Sequence, residues 1–293
     1  MGRSAADVSG SGATLRSLVL DGVEVLDGFA AEVVAPGSAG QVLAPWPNRL
    51  EDGRYEFQGI KGTAAIDEPE RMNAIHGLVR WLQWEPVEST GSSVVLETVI
   101  VPQAAYPWRI RLQVTYALGD DALVVRFAAL NEDDRPAPFA IGFHPYLLAE
   151  GGSVDHATVT VDARTHLLVD LRALPFGSDP VEKSAFAALV TPGGLNLSGV
   201  VLDDCFTGIA RSSGRAVVRF APGPHSRPVT LTLGPAFTHL MCFTGDTLSS
   251  ERRRRSLAIE PMTAPPNALR TGDGCAVVEP GAVLSDEFSI ALG

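Results

Sequence analysis

Basic residues are scarce in this 293-residue chain. Lysine and arginine number 23 against 34 aspartates and glutamates, which gives a formal net charge of −11. A nucleic-acid-binding protein needs a basic surface to neutralise phosphates, so the charge balance argues against nucleic acid as a partner. Four consecutive arginines at 252–255 break the acidic pattern. We interpret them as a solvated loop beside a strand, because basic runs that bind nucleic acid are usually longer or backed by a basic domain.

Long apolar runs and paired cysteines are also missing. No stretch approaches the roughly 18 apolar residues of a membrane-spanning helix, and the N-terminal segment lacks the apolar core of a signal peptide. The chain has three cysteines, Cys205, Cys242 and Cys275, and none belongs to a C-x-x-C pair. Widely spaced cysteines in odd number are typical of free thiols in a reducing compartment. These absences predict a cytoplasmic protein without membrane contact.

Turn-forming residues and alternating apolar residues are plentiful instead. The chain contains 29 glycines and 21 prolines, which indicates many turns and short elements. At 109–118, apolar residues occupy every second position, and a strand sorts such residues onto one face whereas a helix would scatter them. The turn residues at 118–121 predict that the next run, 122–131, is its hairpin partner, and the same alternation recurs at 157–163 and 229–233. Further strand candidates lie at 55–58, 94–101, 216–220, 239–243, 257–260, 276–279 and 287–292.

Helical patterns are rare. Residues 184–190 could form about two helical turns before the Thr-Pro-Gly-Gly at 191–194 ends them. Strands that recur about every 8–15 residues, with so little helix, indicate an all-β fold, either a sandwich or a barrel. We predict that residues 1–12 form a mobile tail and that residues 13–293 form one continuous β domain.

Familiar catalytic motifs are absent, because the chain has no His-Glu-x-x-His, no P-loop and no Gly-x-Ser-x-Gly. Loops on a rigid scaffold often carry function, and polar or proton-active side chains stand among proline, glycine and aromatic residues in four segments. Those segments are 44–53, 73–77, 142–146 and 259–267. Taken singly, each has a structural explanation: Asn48 and Arg49 could cap a turn, and His76 could satisfy a buried carbonyl. The isolated His166 is interpreted as an ordinary surface or core residue.

Taken together, the four segments and a fifth at 203–206 resemble, in order and spacing, the motifs of the aldose 1-epimerase (galactose mutarotase) family. The matching residues are Asn48, Arg49 and Gly53; Asn73, His76 and Gly77, followed by Trp81 or Trp84; His144 and Tyr146; Asp203 and Phe206; and Glu260 with Pro266 and Asn267. Two departures, Leu78 after His76-Gly77 and the Gly-Phe-His-Pro-Tyr at 142–146, bear on the preferred sugar more than on the chemistry.

The resemblance implies a large antiparallel β-sandwich of the galactose mutarotase-like supersandwich type. It also implies the opening and reclosure of a sugar hemiacetal ring without metal or cofactor, with a small-molecule sugar as the partner. Such a reaction needs a base at the anomeric hydroxyl and an acid at the ring oxygen. The catalytic roles that the resemblance implies are Glu260 as base, His144 as acid and His76 holding the ring and anomeric oxygens. It also implies that Arg49, Asn48 and Asp203 bond sugar hydroxyls and that Phe143, Tyr146 or a tryptophan forms an apolar wall.

Two other functions fit the same residues. A carbohydrate-binding or sensing protein would keep the pocket without turnover. A hexose-6-phosphate 1-epimerase would need clustered basic side chains to pair with a dianion, and Arg49, Arg71 and Arg80 lie near the relevant segments. The spacing to Phe206 favours Asp203 as the sugar ligand, with Asp204 as the alternative. The oligomeric state and the preferred sugar are left open by the sequence.

Overall fold

A computed structural model gives the fold of residues 3–293. Within those residues, helix is limited to one short α-helix, α1 (Ala268–Thr271), and six 3-10 turns, none of which is long and apolar enough to cross a bilayer. The 3-10 turns are Pro36–Ser38, Val79–Trp81, Glu150–Gly152, Val154–His156, Val181–Lys183 and Ala187–Val190. The helical pattern at 184–190 yields only the last turn, because Ser184 is extended and its hydroxyl accepts the N–H of Phe186.

Strands make up most of the remaining regular structure. The first group comprises β1 (Ala5–Ser9), β2 (Thr14–Leu20), β3 (Val23–Glu24), β4 (Val42–Leu43), β5 (Arg49–Glu51), β6 (Arg54–Phe57), β7 (Ile60–Thr63), β8 (Asn73–Ile75), β9 (Glu85–Ser89), β10 (Ser93–Ile100), β11 (Ile110–Leu118), β12 (Ala122–Asn131) and β13 (Ala137–Phe139). The second comprises β14 (Gly142–Phe143), β15 (Tyr146–Leu148), β16 (Thr158–Val161), β17 (Thr165–Val169), β18 (Pro175–Pro180), β19 (Leu195–Asn196), β20 (Asp203–Thr207), β21 (Arg211–Ser212), β22 (Arg215–Ala221), β23 (Val229–Leu233), β24 (His239–Phe243), β25 (Ser256–Met262), β26 (Ala276–Val278) and β27 (Val283–Leu292).

Ten strands form the larger sheet. Its order is β19-β16-β22-β23-β27-β12-β11-β10-β9, with β21 also paired to β22, and every ladder is antiparallel. The alternation that predicted β11 matches its burial, since Ile110, Leu112 and Val114 are fully buried while the residues between them are partly exposed. Burying each such side chain contributes about 1.5–3 kcal/mol, so the pattern decides which face of the strand turns inward.

The second sheet has eight strands, in the order β18-β17-β20-β24-β25-β14-β4, with β15 also paired to β25. It packs face to face on the ten-stranded sheet. Phe143 of β14 contacts Phe288 of β27 with ring centroids 5.0 Å apart, and Phe127 of β12 and Phe237 join the same cluster. This contact joins the two inner faces, as expected of a sandwich. The prediction of an all-β, large antiparallel β-sandwich with little helix is confirmed.

The N-terminal segment differs from its prediction. Residues Ala5–Ser9 form β1, which pairs with β2, and the N–H of Trp84 donates to the carbonyl of Gly10. The mobile tail predicted for 1–12 is therefore wrong for residues 3–12, while Met1 and Gly2 lie outside the described residues. The Gly- and Ser-rich stretch at 9–12 resembles a linker in the sequence, but it forms the hairpin turn between two strands. One continuous domain over 13–293 stays a prediction.

The arginine run at 252–255 is also more than a solvated loop. Arg254 pairs with Asp155 at 2.7 Å and with Asp246 at 3.0 Å. Arg252 lies 3.1 Å from the buried carboxylate of Asp27 and donates to two backbone carbonyls beside it. Partly buried guanidinium groups with several acceptors anchor a loop more firmly than single exposed ion pairs do. The run thus attaches the start of β25 to loops on both sides of it.

Candidate active site

An open cavity of about 410 Å³ lies where the eight-stranded sheet meets the two-stranded sheet formed by β5 and β8. We call it the catalytic pocket. Seven of the eight residues predicted for the site line it: Asn48, Arg49, His76, His144, Tyr146, Asp203 and Glu260. They come from β5, β15, β20, β25 and three connecting segments, so residues far apart in the sequence converge on one cavity.

Glu260 and His144 form a buried pair at the floor of the pocket. Because β14 pairs with β25, His144 stands beside Glu260, and His144 Nε2 lies 3.4 Å from Glu260 Oε1. Glu260 is 2% exposed and His144 is 4% exposed. Their other polar atoms, Glu260 Oε2 and His144 Nδ1, have no hydrogen-bond partner among residues 3–293. A buried polar atom without a partner costs about 1–3 kcal/mol, and such atoms are typical of functional sites.

Burial sets the protonation of this pair. It raises the pKa of Glu260 to about 8, with the nearby Asp203 carboxylate raising it further and Arg49 opposing. Burial also lowers the pKa of His144 to about 3. Between these values the pair holds one proton and no net charge. One member can then give a proton while the other takes one, which is the requirement for concerted acid–base catalysis.

His76 is held by Asn48 in a reciprocal contact. The Asn48 N–H donates to His76 Nδ1 at 3.2 Å, and the His76 N–H donates to the Asn48 carbonyl at 2.8 Å. Burial and the neighbouring His144, Arg80 and Arg49 keep the pKa of His76 well below its ordinary value. In the neutral ring that results, Nδ1 is the acceptor and the proton is on Nε2. His76 is therefore a fixed hydrogen-bond donor in the pocket wall.

The backbone around His76 is strained. Asn48 has φ 56° and His76 has φ 63°, a left-handed conformation that is uncommon for histidine. Gly77 follows at φ 70°, and a Cβ there would lie 2.1 Å from the Ala44 carbonyl oxygen. Such strain tends to occur at functional sites, where the surrounding structure holds it in place. The glycine of the Asn-x-x-His-Gly motif is thus required by the turn that orients the histidine.

Arg49 is a buried cation supported by carboxylates. Its Nε lies 3.0 Å from Glu68 Oε2, and its Nη2 lies 3.5 Å from Asp203 Oδ2. Glu68 also accepts hydrogen bonds from Arg71 and from Asn73. Glu68 fixes the Nε edge of the guanidinium and Nη1 donates to Asn48 Oδ1 at 3.5 Å, which leaves Nη2 beside Asp203. A fixed guanidinium and a carboxylate side by side suit a ligand with hydroxyl groups, each of which donates and accepts.

Asp203 and Asp204 lie in different surroundings. Asp203 lines the pocket, whereas Asp204 does not. Asp204 Oδ1 contacts His166 Nε2 at 2.7 Å, and its Oδ2 accepts the N–H of Asp203 at 3.1 Å. Both oxygens of Asp204 are thus occupied within the protein. His166, interpreted as an ordinary residue from the sequence, is a buried support for the strand that carries Asp203.

The aromatic wall differs from its prediction. Phe143 is 3% exposed and packs in the core between the sheets, so its assignment to the substrate-binding wall is wrong. Tyr146 does line the pocket, with its ring stacked on His144 at 4.9 Å and its hydroxyl donating to the Gly37 carbonyl. Phe243 of β24 supplies the apolar surface that was expected of Phe143. Between Trp81 and Trp84, Trp81 lines the pocket and Trp84 is fully buried.

Several pocket residues were not predicted from the sequence. Glu68 is the buried partner of Arg49, and Asp67 holds Arg80 through a 2.6 Å contact. The sequence held a weak signal for both residues, because three acidic residues within 67–70 stand shortly before the Asn-x-x-His-Gly motif at 73–77. Residues 3–293 contain no group of three or more histidines, cysteines or acidic residues placed to hold a metal ion. The prediction of a reaction without cofactor stays a prediction.

Comparisons with known proteins relate the chain to one family. The sequence profile of the family "Aldose 1-epimerase" matches residues 2–291. The uncharacterized protein YihR of Escherichia coli is 29% identical over 271 residues, which is 92% of this chain and 84% of that protein. The galactose mutarotase of Pongo abelii is 33% identical over 158 residues, which is 50% of this chain and 44% of that protein.

Solved structures share the fold over the full length. The GalM/aldose epimerase homologue of C. elegans superposes with a TM-score of 0.86 at 19% identity and covers 99% of this chain and 95% of its own. A galactose mutarotase-like protein of Clostridium acetobutylicum gives a TM-score of 0.83 at 17% identity, over 100% of this chain and 92% of its own. With the profile match along nearly every residue, these findings show that the chain belongs to the aldose 1-epimerase family.

Proposed function

We propose that the protein is an aldose 1-epimerase that interconverts the α and β anomers of a free aldose. The observation that carries the proposal is the buried pair of Glu260 and His144, 3.4 Å apart in an open pocket. The pair shares one proton and faces a wall of fixed donors and acceptors. A sugar hemiacetal needs that combination, because its anomeric hydroxyl must lose a proton while its ring oxygen gains one.

The chemistry requires only proton transfer by the chain's own residues. The step starts from the tautomer of the pair in which the shared proton lies on His144 and Glu260 is ionised. From that state, Glu260 takes the proton of the anomeric hydroxyl while His144 gives its proton to the ring oxygen. The bond between the anomeric carbon and the ring oxygen breaks, and the anomeric carbon becomes a carbonyl. After rotation about the adjacent carbon–carbon bond, the hydroxyl formed from the former ring oxygen attacks the opposite face of the carbonyl. The two protons then return, so the enzyme ends unchanged.

The other pocket residues position the sugar in this proposal. His76 Nε2–H donates to an oxygen at the anomeric end, as its tautomer allows. Asn48, Arg49 and Asp203 bond sugar hydroxyls, and Tyr146 contributes an apolar surface beside His144. Their rigidity supports this role, because groups held in place before binding lose little entropy when the substrate arrives.

The charges of the pocket disfavour a hexose 6-phosphate. Arg49 and Arg71 are both paired with Glu68, and Arg80 is paired with Asp67. A phosphate dianion needs guanidinium groups that are free to pair with it. A phosphate bound here would compete with Glu68 and Asp67 for the charge of these guanidinium groups, whereas an uncharged sugar would not.

Polarimetry with freshly dissolved sugars tests the proposal. Optical rotation of pure α-glucose and of pure α-galactose is expected to reach equilibrium faster with enzyme than in matched buffer, and faster than for glucose 6-phosphate at equal concentration. No acceleration of any common aldose would overturn the proposal. If no aldose reacted faster but calorimetry detected sugar binding, the protein would instead be a carbohydrate-binding protein without catalytic activity. A preference for glucose 6-phosphate would instead support the phosphate epimerase.

We also propose that the protein works in the cytoplasm. Support comes from its three free cysteines, of which Cys205 and Cys242 are fully enclosed in adjacent strands. Burial raises the pKa of both thiols well above its ordinary value, so they are unreactive as nucleophiles. Free thiols without disulfides suit a reducing compartment.

The shifted acid and base predict an unusual pH profile. Wild-type kcat/KM is expected to be flat from about pH 5 to about pH 7 and to fall with an apparent pKa of about 8. The reason is that the pair keeps its single proton until Glu260 ionises. With ordinary values of about 4.3 and 6.5, the rate would already fall above about pH 6.5. Polarimetric rates corrected for buffer catalysis give the profile, and a decline centred near pH 6.5 would contradict it.

The two neighbouring aspartates are expected to respond differently to substitution. Asp203→Asn removes a charged hydrogen-bond acceptor from the pocket, so KM should rise about tenfold, as expected for a lost charged hydrogen bond. Asp204→Asn should lower the Tm by disturbing His166, yet keep KM within about threefold. Steady-state polarimetry and thermal unfolding measure both effects. A larger KM effect for Asp204→Asn than for Asp203→Asn would reverse the assignment.

A further inference from the structure

A second cavity, of about 380 Å³, adjoins the catalytic pocket, and we call it the adjoining cavity. The two share Arg80 and Trp81 in their walls. The segment at 29–38 also borders both, since its first part lines the adjoining cavity whereas Gly37 and Ser38 line the catalytic pocket. A substrate too large for the catalytic pocket would therefore pass Trp81 and reach this second space.

Trp81 forms a fixed aromatic surface between the cavities. It is 59% exposed, and the Arg80 guanidinium lies under its ring at 4.4 Å from the centroid. Arg80 is itself held by Ser38 at 3.0 Å and by Asp67 at 2.6 Å. A cation–π contact with an anchored, largely buried arginine keeps the ring in place. An exposed tryptophan that is already ordered offers a large contact area at little entropic cost.

The rest of the adjoining cavity combines polar with apolar side chains and is not strongly charged. Its apolar part comes from Phe29, Ala31, Val33, Val34 and Ala35. Hydroxyls of Ser9, Ser11 and Thr14 stand in its wall beside the Gln41 amide. The charged residues are largely compensated, because Arg16 is paired with Asp7 and donates to the Phe29 carbonyl, as Arg80 is paired with Asp67. Glu32 is exposed at the edge and makes no ion pair within the described part of the chain. Hydroxyl and amide groups beside aromatic and aliphatic side chains fit an uncharged sugar ring, which has polar edges and apolar faces.

We propose that the adjoining cavity is a second sugar subsite and that the preferred substrate is a reducing disaccharide or longer oligosaccharide. The inference rests on the proposed epimerase function and names its substrate class. The reducing unit places its anomeric carbon at Glu260 and His144, and the glycosidically linked unit lies against Trp81. Only the hemiacetal of the reducing unit opens and recloses, so the glycosidic bond is unchanged.

The test compares sugars that share one reducing unit. Mutarotation is followed for glucose and for maltose, cellobiose, lactose and isomaltose, all of which end in reducing glucose, with galactose as an additional monosaccharide. At least one disaccharide is expected to have a kcat/KM about tenfold or more above that of glucose. If every disaccharide reacts more slowly than glucose, the second subsite is overturned, while the proposed epimerase function stands.

A variant that fills the adjoining cavity sharpens the test. Ala31 lines that cavity and is exposed, so Ala31→Trp should block binding of the second sugar unit. The kcat/KM for the disaccharide should then fall to about that for glucose. The effect of Ala31→Trp on glucose should stay within about twofold. Ala104→Trp, at an exposed position that lines neither cavity, is the matched control and should change neither rate. Equal losses for glucose and disaccharide in Ala31→Trp would overturn the subsite.

A final arm separates the two proposals. If no sugar is accelerated, the epimerase function falls, and calorimetry with maltose and glucose then decides the subsite alone. Tighter binding of maltose than of glucose by the wild type, lost in Ala31→Trp, would support the subsite. Equal binding of both sugars by both proteins would overturn it.

Discussion

Replacing Glu260 by glutamine is expected to lower kcat for mutarotation at least about 100-fold, with little change in KM. Glutamine has nearly the same shape and still fills the buried position in β25, but it neither takes nor holds the proton of the pair. A 100-fold loss corresponds to about 2.7 kcal/mol of transition-state stabilisation, which is the low end for a general acid or base. Polarimetry at saturating sugar measures the effect.

Controls separate lost chemistry from lost structure. In the wild type, the raised pKa of Glu260 means that the folded state keeps a proton that the unfolded chain, with a pKa near 4.3, releases as the pH rises. Wild-type stability therefore falls between about pH 4.3 and about pH 8, and the Tm of Glu260→Gln should rise relative to wild type across that window. The matched variant Glu150→Gln, outside the catalytic pocket, should keep full activity. Near-normal turnover in Glu260→Gln would remove the residue from catalysis.

Replacing His144 by asparagine is expected to lower kcat by a similar factor of about 100 or more. The imidazole lies 3.4 Å from Glu260 and is the acid of the proposed reaction, so its loss leaves the ring oxygen without a proton donor. Because the ring also stacks on Tyr146, some loss of stability is expected as well. Thermal unfolding and sugar binding by calorimetry measure that part separately.

Chemical rescue makes the His144 prediction specific. In His144→Ala, added imidazole is expected to restore part of the rate with a saturating concentration dependence, because the cavity left behind opens into the pocket. A residue with only a structural role would not respond in this way. The matched variant His225→Asn changes an exposed histidine away from the pocket and should leave the rate unaltered. Rates of His144→Asn within tenfold of wild type would argue against its role as the acid.

Much of the fold could be predicted from the sequence because burial follows local alternation. Strands β12, β23 and β24 begin and end where the pattern indicates. The hairpin of β11 and β12 was predictable from the turn residues between them, and the structure confirms it. The pairing of β27 with both β12 and β23 was not, since it depends on contacts between distant parts of the chain. The hairpin of β1 and β2 was missed because its turn is rich in glycine and serine, as linkers are.

Pocket residues that belong to a sequence motif could be predicted, whereas residues that reach the pocket through a tertiary contact could not. His144 and Phe143 are adjacent in an extended segment, and neighbouring side chains there point to opposite faces. Once His144 is assigned to the pocket, Phe143 belongs to the core, so that error was avoidable. The partnership of Arg49 with Glu68 was not, because it depends on how the loop before β8 folds back onto β5.

Strand β27 has a consequence for how the protein is made. It lies in the middle of the ten-stranded sheet, between β12 on one side and β23 on the other. On a ribosome, β9–β12 and β22–β23 emerge earlier and can pair locally, but the two groups share no ladder in this sheet until β27 is synthesised. Their inner edges are open to wrong partners during that interval. The ten-stranded sheet is therefore completed only when β27 pairs with both groups. We expect nascent chains that lack β27 to aggregate more readily than the finished protein.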